Sequence, residues 1–291
     1  MKNWIKGMAV GVLALGLAAC NAPAEPKKDA ETGKPVEVEK PSTLTAQEVY
    51  EKTLAVSDEQ TSMHAKMNID QLVELPSEEF TMNNKIKLDM DMVIDPLAMY
   101  QKMDVDMGEM GAMAMEIYMT EEGFFMNDPE SGQWLKLPGD MYEELVAGMG
   151  SADPTLDMNM FKKFVEDFKF EQTDDEYILT LSAKGEKFNE LFKEIALENM
   201  PAGFDLTEEE AELMENINVT SLEYEIFVDK ETFYTTAFNM KMDMIMVIEG
   251  EEMHIDQKVN AKLSNINEIE KIEVPQEVLD NAIDINEEMG Q

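Results

Sequence analysis

The sequence predicts an α+β fold in which a strongly curved antiparallel sheet of about eleven strands wraps over inserted helices. Two observations lead to this class. Long stretches of the chain alternate apolar and polar residues with a period of two, which is typical of strands with one buried face. Shorter stretches between them place apolar residues three and four positions apart, as on one face of a helix.

The start of the chain has the composition of a secretory signal peptide. Two lysines precede an uncharged stretch over residues 7–19, which is shorter than the roughly 20 residues that a membrane-spanning helix needs. The motif Leu-Ala-Ala-Cys at residues 17–20 resembles the lipobox of bacterial lipoproteins. The resemblance implies a lipoprotein signal peptide over 1–19 and a diacylglycerol-modified Cys20 as the mature N-terminus. The alternative is a free, buried cysteine.

Residues 20–43 are predicted to form the lipidated cysteine and a flexible tether. Four prolines, mixed charges and few large apolar side chains follow Cys20, which favours a solvated chain. A free chain of this length spans roughly 25–30 Å. Such a tether would hold an anionic body outside the field of an anionic membrane, which decays over about 8–10 Å.

The charge of the chain excludes one class of partner. It carries 62 acidic and 23 basic side chains, a formal net charge of −39. A field of this sign repels nucleic acids, and it favours a soluble monomer.

The single cysteine excludes a disulfide scaffold. Hydrophobic residues make up 44% of the chain, enough for a packed core, and methionine occurs 27 times, an unusually high number.

The predicted elements begin with a helix near 45–56, where Thr45 and Glu48 form a capping box. Strands with period-two alternation follow this helix, and a turn-rich segment over 127–132 joins the last two. These strands are expected at 63–70, 85–94, 99–107, 113–119, 123–127 and 134–137.

Helices and strands mix in the second half of the chain. The expected helices lie at about 139–168, at 185–198, from Thr207, and from Pro275 to about 283. Further strands are expected at 168–173, 176–183, 219–229, 233–248 and 252–266. No Pro/Gly/Ser-rich linker divides this part of the chain, so we expect one domain over 44–285, followed by a tail over 286–291.

This order of elements resembles that of the LolA/LppX-like bacterial lipoprotein family. The hairpin from Tyr118 to Leu137, with Trp134 on its second strand, is similar to a hairpin in the family's Gram-positive-type relatives. The segment Ile272–Val278 around Pro275 is similar too. The resemblance implies an antiparallel half-barrel of about eleven strands with helices over its concave face, and it implies a lipid or a lipoprotein as the bound partner.

We find no motif of an enzyme in the sequence. A Gly-x-Ser-x-Gly elbow, a His-Glu-x-x-His pair and a glycine-rich phosphate loop are all missing. His64 and His254 lie on the polar side of their strands, which favours solvated surface histidines over a catalytic role. The segment from Asp128 to Gly139 begins like a calcium loop but ends without the bidentate glutamate of an EF-hand. We therefore expect a non-enzymatic protein with no cofactor, metal site or catalytic residue.

The methionines are the most informative feature. They alternate along the strands beside aliphatic residues, which predicts that they line one apolar face. Methionine is unbranched and polarisable, so such a face adapts to ligands of varied shape. A filled structural core and a Cu(I) site with thioether ligands are the alternatives. The predicted apolar cavity is lined by Met67, Ile69, Met90, Met92, Met103, Met107, Met115, Ile117, Met240, Met242 and Met244.

These observations predict a lipoprotein in the cell membrane, with its body on the extracytoplasmic face, that binds or carries an apolar, lipid-like ligand. Its partners would be the membrane, through the lipid on Cys20, and a lipid or another apolar small molecule. Two alternatives stay open. One is a Met-rich protein that binds Cu(I) or scavenges oxidants as methionine sulfoxide, and the other is an envelope scaffold with a filled core.

Overall fold

The computed structural model describes residues 22–29, 31–138, 161, 164–165, 167–184, 189, 216–248 and 250–285. Several predictions lie outside these residues. They are the signal peptide, the lipidation site Cys20, most of the helical stretch at 139–168, the helices near 185–198 and from Thr207, and the tail over 286–291.

The described strands form one mixed sheet of thirteen strands in the order β1-β8-β9-β10-β11-β12-β2-β3-β4-β5-β6-β7-β13. β1 pairs with β8 and β13 pairs with β7 in parallel, whereas the other neighbours are antiparallel. The bounds are β1 Glu25–Pro26, β2 Ser62–Leu75, β3 Phe80–Val93, β4 Ala98–Asp106, β5 Ala112–Thr120, β6 Gly123–Asn127, β7 Trp134–Lys136, β8 Lys169–Gln172, β9 Glu176–Lys184, β10 Ile217–Asp229, β11 Thr235–Ile248, β12 Glu251–Ser264 and β13 Ile283–Asp284.

The predicted α+β class is wrong. The described part of the chain is mostly β, with 56% strand and 14% helix, and its sheet is open and mixed. Within the described ranges the sheet is not wholly antiparallel and has no helices inserted over a concave face, so the predicted half-barrel is corrected as well. The eleven predicted strands correspond to β2–β12, while β1 and β13 are additional strands of two residues each. Four strands reach 14 residues each, whereas the two described α-helices have 12 and 6 residues, so strands dominate the described part of the chain.

Two described α-helices flank β2–β12 in sequence, α1 at Ala46–Ser57 and α2 at Gln276–Asn281. The predicted capping box of α1 is confirmed. Its Glu48 N–H donates to Thr45 Oγ1 at 3.2 Å, and the Thr45 N–H donates to the Glu48 carboxylate at 2.8 Å. Because both groups would otherwise lack partners, the box fixes where α1 begins.

The apolar residues of the sheet collect into buried clusters on both of its faces. The largest joins Val49 and Tyr50 of α1 to side chains of β8–β12, and it includes Phe161, Val165 and Phe168 from the predicted helical stretch. A second cluster fills the face of β2–β5 with methionines. The segment after β12 packs against the opposite face, where two smaller clusters hold Ile272, Val274 and Val278.

The residues predicted as a tether lie against the edge of the sheet. We call residues 22–29 and 31–43 the strap. Its β1 pairs with β8, and its Ala24 is buried in the largest cluster. The buried Gln172 side chain donates to the Ala24 carbonyl at 2.6 Å and accepts from the Ser42 N–H at 2.9 Å. In this structure the segment is therefore folded along β8 rather than extended into solvent.

Candidate ligand-binding face

The strand register brings ten of the eleven predicted cavity residues onto one face of the sheet, which we call the Met face. Met67 on β2 is paired with Leu88 on β3, and Leu88 is paired with Met103 on β4. Met103 is in turn paired with Met115 on β5. Paired residues point to the same side of a sheet, and alternate residues of a strand share a side. By these rules the Met face also holds Ile69, Met90, Met92, Ile117, Met240, Met242 and Met244.

Met107 is the one predicted cavity residue that does not lie on the Met face. β4 ends at Asp106, and Met107 precedes a short 3-10 turn over Gly108–Met110. Its backbone N–H donates to the Gly111 carbonyl at 2.9 Å, which closes the turn between β4 and β5. The alternation in the sequence continues one residue past the strand, so the pattern does not show where the hairpin turns.

The Met face is closed in one region and partly open in another. Met90 and Met92 are only 4% and 6% exposed and lie in the cluster of β2–β5. Five other predicted residues pack against the largest cluster and are only partly buried. They are Met67, Ile69, Met240, Met242 and Met244. The closed region serves as core, whereas the residues of the partly open region keep part of their surface exposed.

Four methionines form a continuous row across the closed region. Met63, Met92, Met99 and Met119 are paired from strand to strand over β2–β5. Each is between 0% and 8% exposed. Of these four residues, the sequence prediction contained only Met92. The others have the same strand parity, but their alignment depends on the register between strands, which alternation alone does not give.

A row of amide side chains crosses the same face. Gln257 on β12 is paired with Gln71 on β2, and Gln71 is paired with Asn84 on β3. The Asn84 Nδ2 donates to the Gln71 Oε1 at 3.3 Å. The Asn84 Oδ1 is buried and accepts no hydrogen bond from any described residue. Sequence reasoning missed this row, because three isolated amides become neighbours only through the register.

Three clefts are lined by described residues. One of about 200 Å³ lies near the ends of β2, β11 and β12 and includes Met244 and Ile255 in its wall. A second, of about 450 Å³, lies on β3–β5 beside Met113, and a third, of about 310 Å³, lies between Pro96 and Ile272. Met244 is the one predicted cavity residue that lines any of these three clefts, so they lie away from the centre of the Met face.

The opposite face carries His64 in a setting that contains the residue types of a catalytic triad. His64 stands in register between Asp91 on β3 and Ser264 on β12. Its Nδ1 lies 2.7 Å from an Asp91 oxygen, and its Nε2 lies 3.6 Å from an oxygen of Asp89, also on β3. Because both ring nitrogens face β3, neither can accept the proton of Ser264, and the three residues do not form a triad.

Two tyrosines on this opposite face have raised pKa values. Tyr100 and Tyr118 are paired across β4 and β5, with ring centroids 4.7 Å apart. Burial, with a smaller contribution from the charge of Glu116, raises the pKa of Tyr100 to about 12. The same two causes raise the pKa of Tyr118. Both phenols therefore stay protonated at neutral pH, and Tyr100 donates to Glu116 at 3.3 Å.

The described residues offer no cluster of metal ligands. Among them, no group of three or more His, Cys, Asp or Glu side chains is arranged to hold a metal ion. In the segment that begins like a calcium loop, the Asp128 carboxylate accepts the backbone N–H groups of Glu130 and Ser131 at 3.2 and 3.1 Å. That motif is therefore a hairpin turn.

No helix within the described ranges is long and apolar enough to cross a membrane.

Two solved structures show a distant similarity to the chain. One is the crystal structure of a DUF1329 family protein from Desulfovibrio piger ATCC 29098, with 9% identity, coverage of 78% of this chain and 95% of that chain, and a TM-score of 0.22. The other is a β-barrel-like protein of the domain of unknown function DUF1849 from Brucella abortus, with 8% identity, coverage of 70% and 99%, and a TM-score of 0.20. Scores this low carry no functional information.

None of the curated proteins compared with the chain matches it. These comparisons do not test the resemblance to the LolA/LppX-like family, which stays a prediction. One family model does match most of the chain. It is DUF6612, a family of unknown function, and the match runs over residues 45–283. The matched segment begins at the N-cap of α1 and takes in β2–β12. The chain therefore belongs to the DUF6612 family.

Proposed function

We propose that the chain is a non-enzymatic lipoprotein, anchored in the cell membrane through Cys20, that binds an apolar, lipid-like ligand on its Met face outside the cytoplasm. The observation that carries the proposal is the Met face itself. Residues of β11 and β2–β5 share one side of the sheet, and part of that side is only partly buried. Apolar surface of this kind gains free energy when a ligand covers it.

The magnitude of this gain suits a carrier. About ten buried methylene groups contribute roughly 8 kcal/mol of transfer free energy. The lost freedom of the ligand and of flexible side chains removes part of that gain. The remaining affinity is weak to moderate. Unbranched methionine side chains adapt to different acyl chains, so the specificity for chain shape is loose.

Binding is tested with a fluorescent acyl-chain probe and with native mass spectrometry of the protein purified without detergent. We expect saturable fluorescence enhancement that an unlabelled lipid reverses, and a co-purifying lipid that solvent extraction removes. If the folded protein gives neither signal, the Met face is ordinary core and the envelope-scaffold alternative holds.

The anchor is tested separately at Cys20. The lipobox-like motif at residues 17–20 motivates this prediction. We expect Cys20→Ala to release the protein from the membrane fraction or to leave it with an uncleaved signal peptide. The intact mass of the wild-type protein should show a diacylglycerol-modified cysteine as its first residue. A free thiol at Cys20 in the mature protein would contradict the anchor and leave ligand binding untouched.

A further inference from the structure

The amide row of Gln257, Gln71 and Asn84 stands out because its surroundings are apolar. Ile69 and Val73 flank Gln71 along β2, and Met82 and Ile86 flank Asn84 along β3 on the same face. Among the described strand residues, the amide row thus crosses a part of the Met face whose neighbouring side chains are apolar. Ligand sites of this type are mostly apolar, with a few polar groups that fix the orientation of the ligand.

One buried oxygen atom of the amide row lacks a hydrogen-bond donor. Gln71 Oε1 accepts the Asn84 Nδ2, but the buried Asn84 Oδ1 has no donor among the described residues. An amide oxygen that is removed from water without a partner costs free energy, and buried polar atoms are almost always paired. The missing partner is a donor, an O–H or an N–H group. A ligand group that supplies this donor would satisfy the site.

The charge of the protein limits which polar groups of a ligand can bind at the amide row. The chain carries a net charge of −39, and the side chains of the amide row are neutral. Nothing in the row compensates a carboxylate or phosphate, and the overall field repels both. A neutral group with hydroxyl donors meets the requirement of Asn84 Oδ1 without a charge.

We propose that the amide row is a headgroup site for a neutral, hydroxyl-bearing lipid, whose acyl chain lies along the methionines of the same face. This inference rests on the proposed function, since it requires an apolar ligand on the Met face. Gln71 and Gln257 supply further donors and acceptors for a second hydroxyl group. The amide row therefore determines headgroup specificity, while the methionines accept acyl chains of varied shape.

The test compares two lipids with the same acyl chain, monooleoylglycerol and methyl oleate, as competitors of the fluorescent probe. The first has two hydroxyl donors and the second has none. We expect wild-type protein to bind monooleoylglycerol about five-fold more tightly or better, the effect of one hydrogen bond of ordinary net strength. Asn84→Leu should abolish this preference without weakening methyl oleate binding. Asn83→Leu, an exposed neighbour on the opposite face, should keep it.

Gln71→Met, a substitution of nearly equal size, gives a second variant should Asn84→Leu fail to fold. Loss of the preference in either folded variant supports the headgroup site. Equal affinities for the two lipids in wild-type protein overturn it, and so does a preference that survives both substitutions. Binding of both lipids with equal affinity leaves the proposed function standing, whereas binding of neither contradicts the proposed function itself.

Discussion

At the scale of single residues, the methionines divide into a closed group and a partly open group. Met99 and Met119 are 8% and 0% exposed, whereas Met67 and Met242 on the same face are only partly buried. Alternation in the sequence indicates on which side of its strand a residue lies, because the side-chain period of a strand is fixed. It could not predict depth, which depends on what packs over each strand.

The closed row is where the Cu(I) alternative can be tested. Its thioethers are neighbours across β2–β5, but the cluster around Met99 and Met119 is apolar, with Leu263 and Ala65 among its members. A cation would lose its hydration there without gaining an anionic ligand. We predict no stoichiometric Cu(I) binding tighter than about micromolar, or roughly −8 kcal/mol, in an anaerobic titration against a competing chelator.

The matched variant for this titration is the double substitution Met99→Leu and Met119→Leu, which keeps the volume and apolar character of the row. It should give the same titration as wild-type protein. Tight binding of one Cu(I) ion by wild-type protein, lost in the double variant, would reverse the assignment and make the row a copper site.

At the scale of elements, three hairpin turns share one construction. Asp29, Asp128 and Asp229 each begin a turn in which the carboxylate accepts nearby backbone N–H groups. The fifth residue of each turn has a positive φ, 66° at Gly33, 71° at Gly132 and 62° at Phe233. Glycine adopts this conformation without strain, but phenylalanine does so at a cost.

Contacts of the Phe233 ring explain why phenylalanine occupies this position of the β10–β11 turn despite its positive φ. It stacks on Tyr177 of β9 with centroids 6.2 Å apart, and the Lys52 ammonium of α1 lies 5.0 Å from its centroid. These contacts link the turn to α1 and to the neighbouring strand. Sequence patterns could place the turn between two long strands, but not the residue at positive φ, because its stabilising contacts are distant in sequence.

The Asp229 turn gives a prediction for pH dependence. Burial raises the pKa of Asp229, but hydrogen bonds from Thr232 and Glu231 outweigh it and hold the pKa below the ordinary value of 3.8. A lowered pKa in the folded state stabilises the fold above the unfolded-state pKa and loses this effect as the pH falls. Asp229→Ala should lower the free energy of unfolding by about 1 kcal/mol at pH 7. The difference from wild type should shrink below about pH 4.

Urea unfolding at pH 7 and pH 3 measures this effect, with Glu231→Ala as the control. Glu231 takes part in the turn through its backbone N–H, which the alanine variant keeps, and both variants remove one negative charge. Equal stabilities of the two variants at pH 7, or an undiminished loss for Asp229→Ala at pH 3, would show that the carboxylate hydrogen bonds do not stabilise the turn.

The two strands that the sequence did not predict, β1 and β13, are too short to show alternation of apolar and polar residues. Most of β2–β12 are long enough for alternation to appear, and the bounds of each were predicted within about five residues. β1 and β13 have two residues each, and they pair in parallel with strands far away in the chain. Glu25–Pro26 lies among prolines, which favour a solvated chain over a strand. Its place in the sheet depends on the distant Gln172.

At the scale of the whole molecule, the strap gives a specific prediction for hydrogen exchange. The amides of Lys27, Glu39 and Ser42 donate to Gln172 O, Asp174 Oδ1 and Gln172 Oε1 at 2.9, 2.7 and 2.9 Å. We expect these amides to exchange more slowly than those of a free peptide. Asp174→Ala should speed the exchange of Glu39 about five-fold, the effect of one hydrogen bond.

Asp175→Ala is the control for the strap, because it removes the same charge one residue away. Its exchange rates in the strap should equal those of wild-type protein. Free-peptide rates throughout residues 31–43 would show instead that the segment is the flexible tether that its composition predicts.

The central claim is that the Met face binds an apolar ligand, and one measurement tests it most directly. It is the affinity of the fluorescent acyl-chain probe for Met67→Asp and for Asn68→Asp. Met67 lies on the partly buried part of the Met face, and its exposed neighbour Asn68 points to the opposite side, so each variant adds one charge to a different face of β2. Met242→Asp repeats the test on β11, beside the polar Gln257.

We predict that Met67→Asp and Met242→Asp, folded by circular dichroism, weaken probe binding at least ten-fold, because a desolvated carboxylate opposes the apolar ligand by more than about 1.4 kcal/mol. Asn68→Asp should bind the probe as wild-type protein does. Equal affinities of folded Met67→Asp, Met242→Asp and Asn68→Asp would contradict the account and remove the ligand from the Met face.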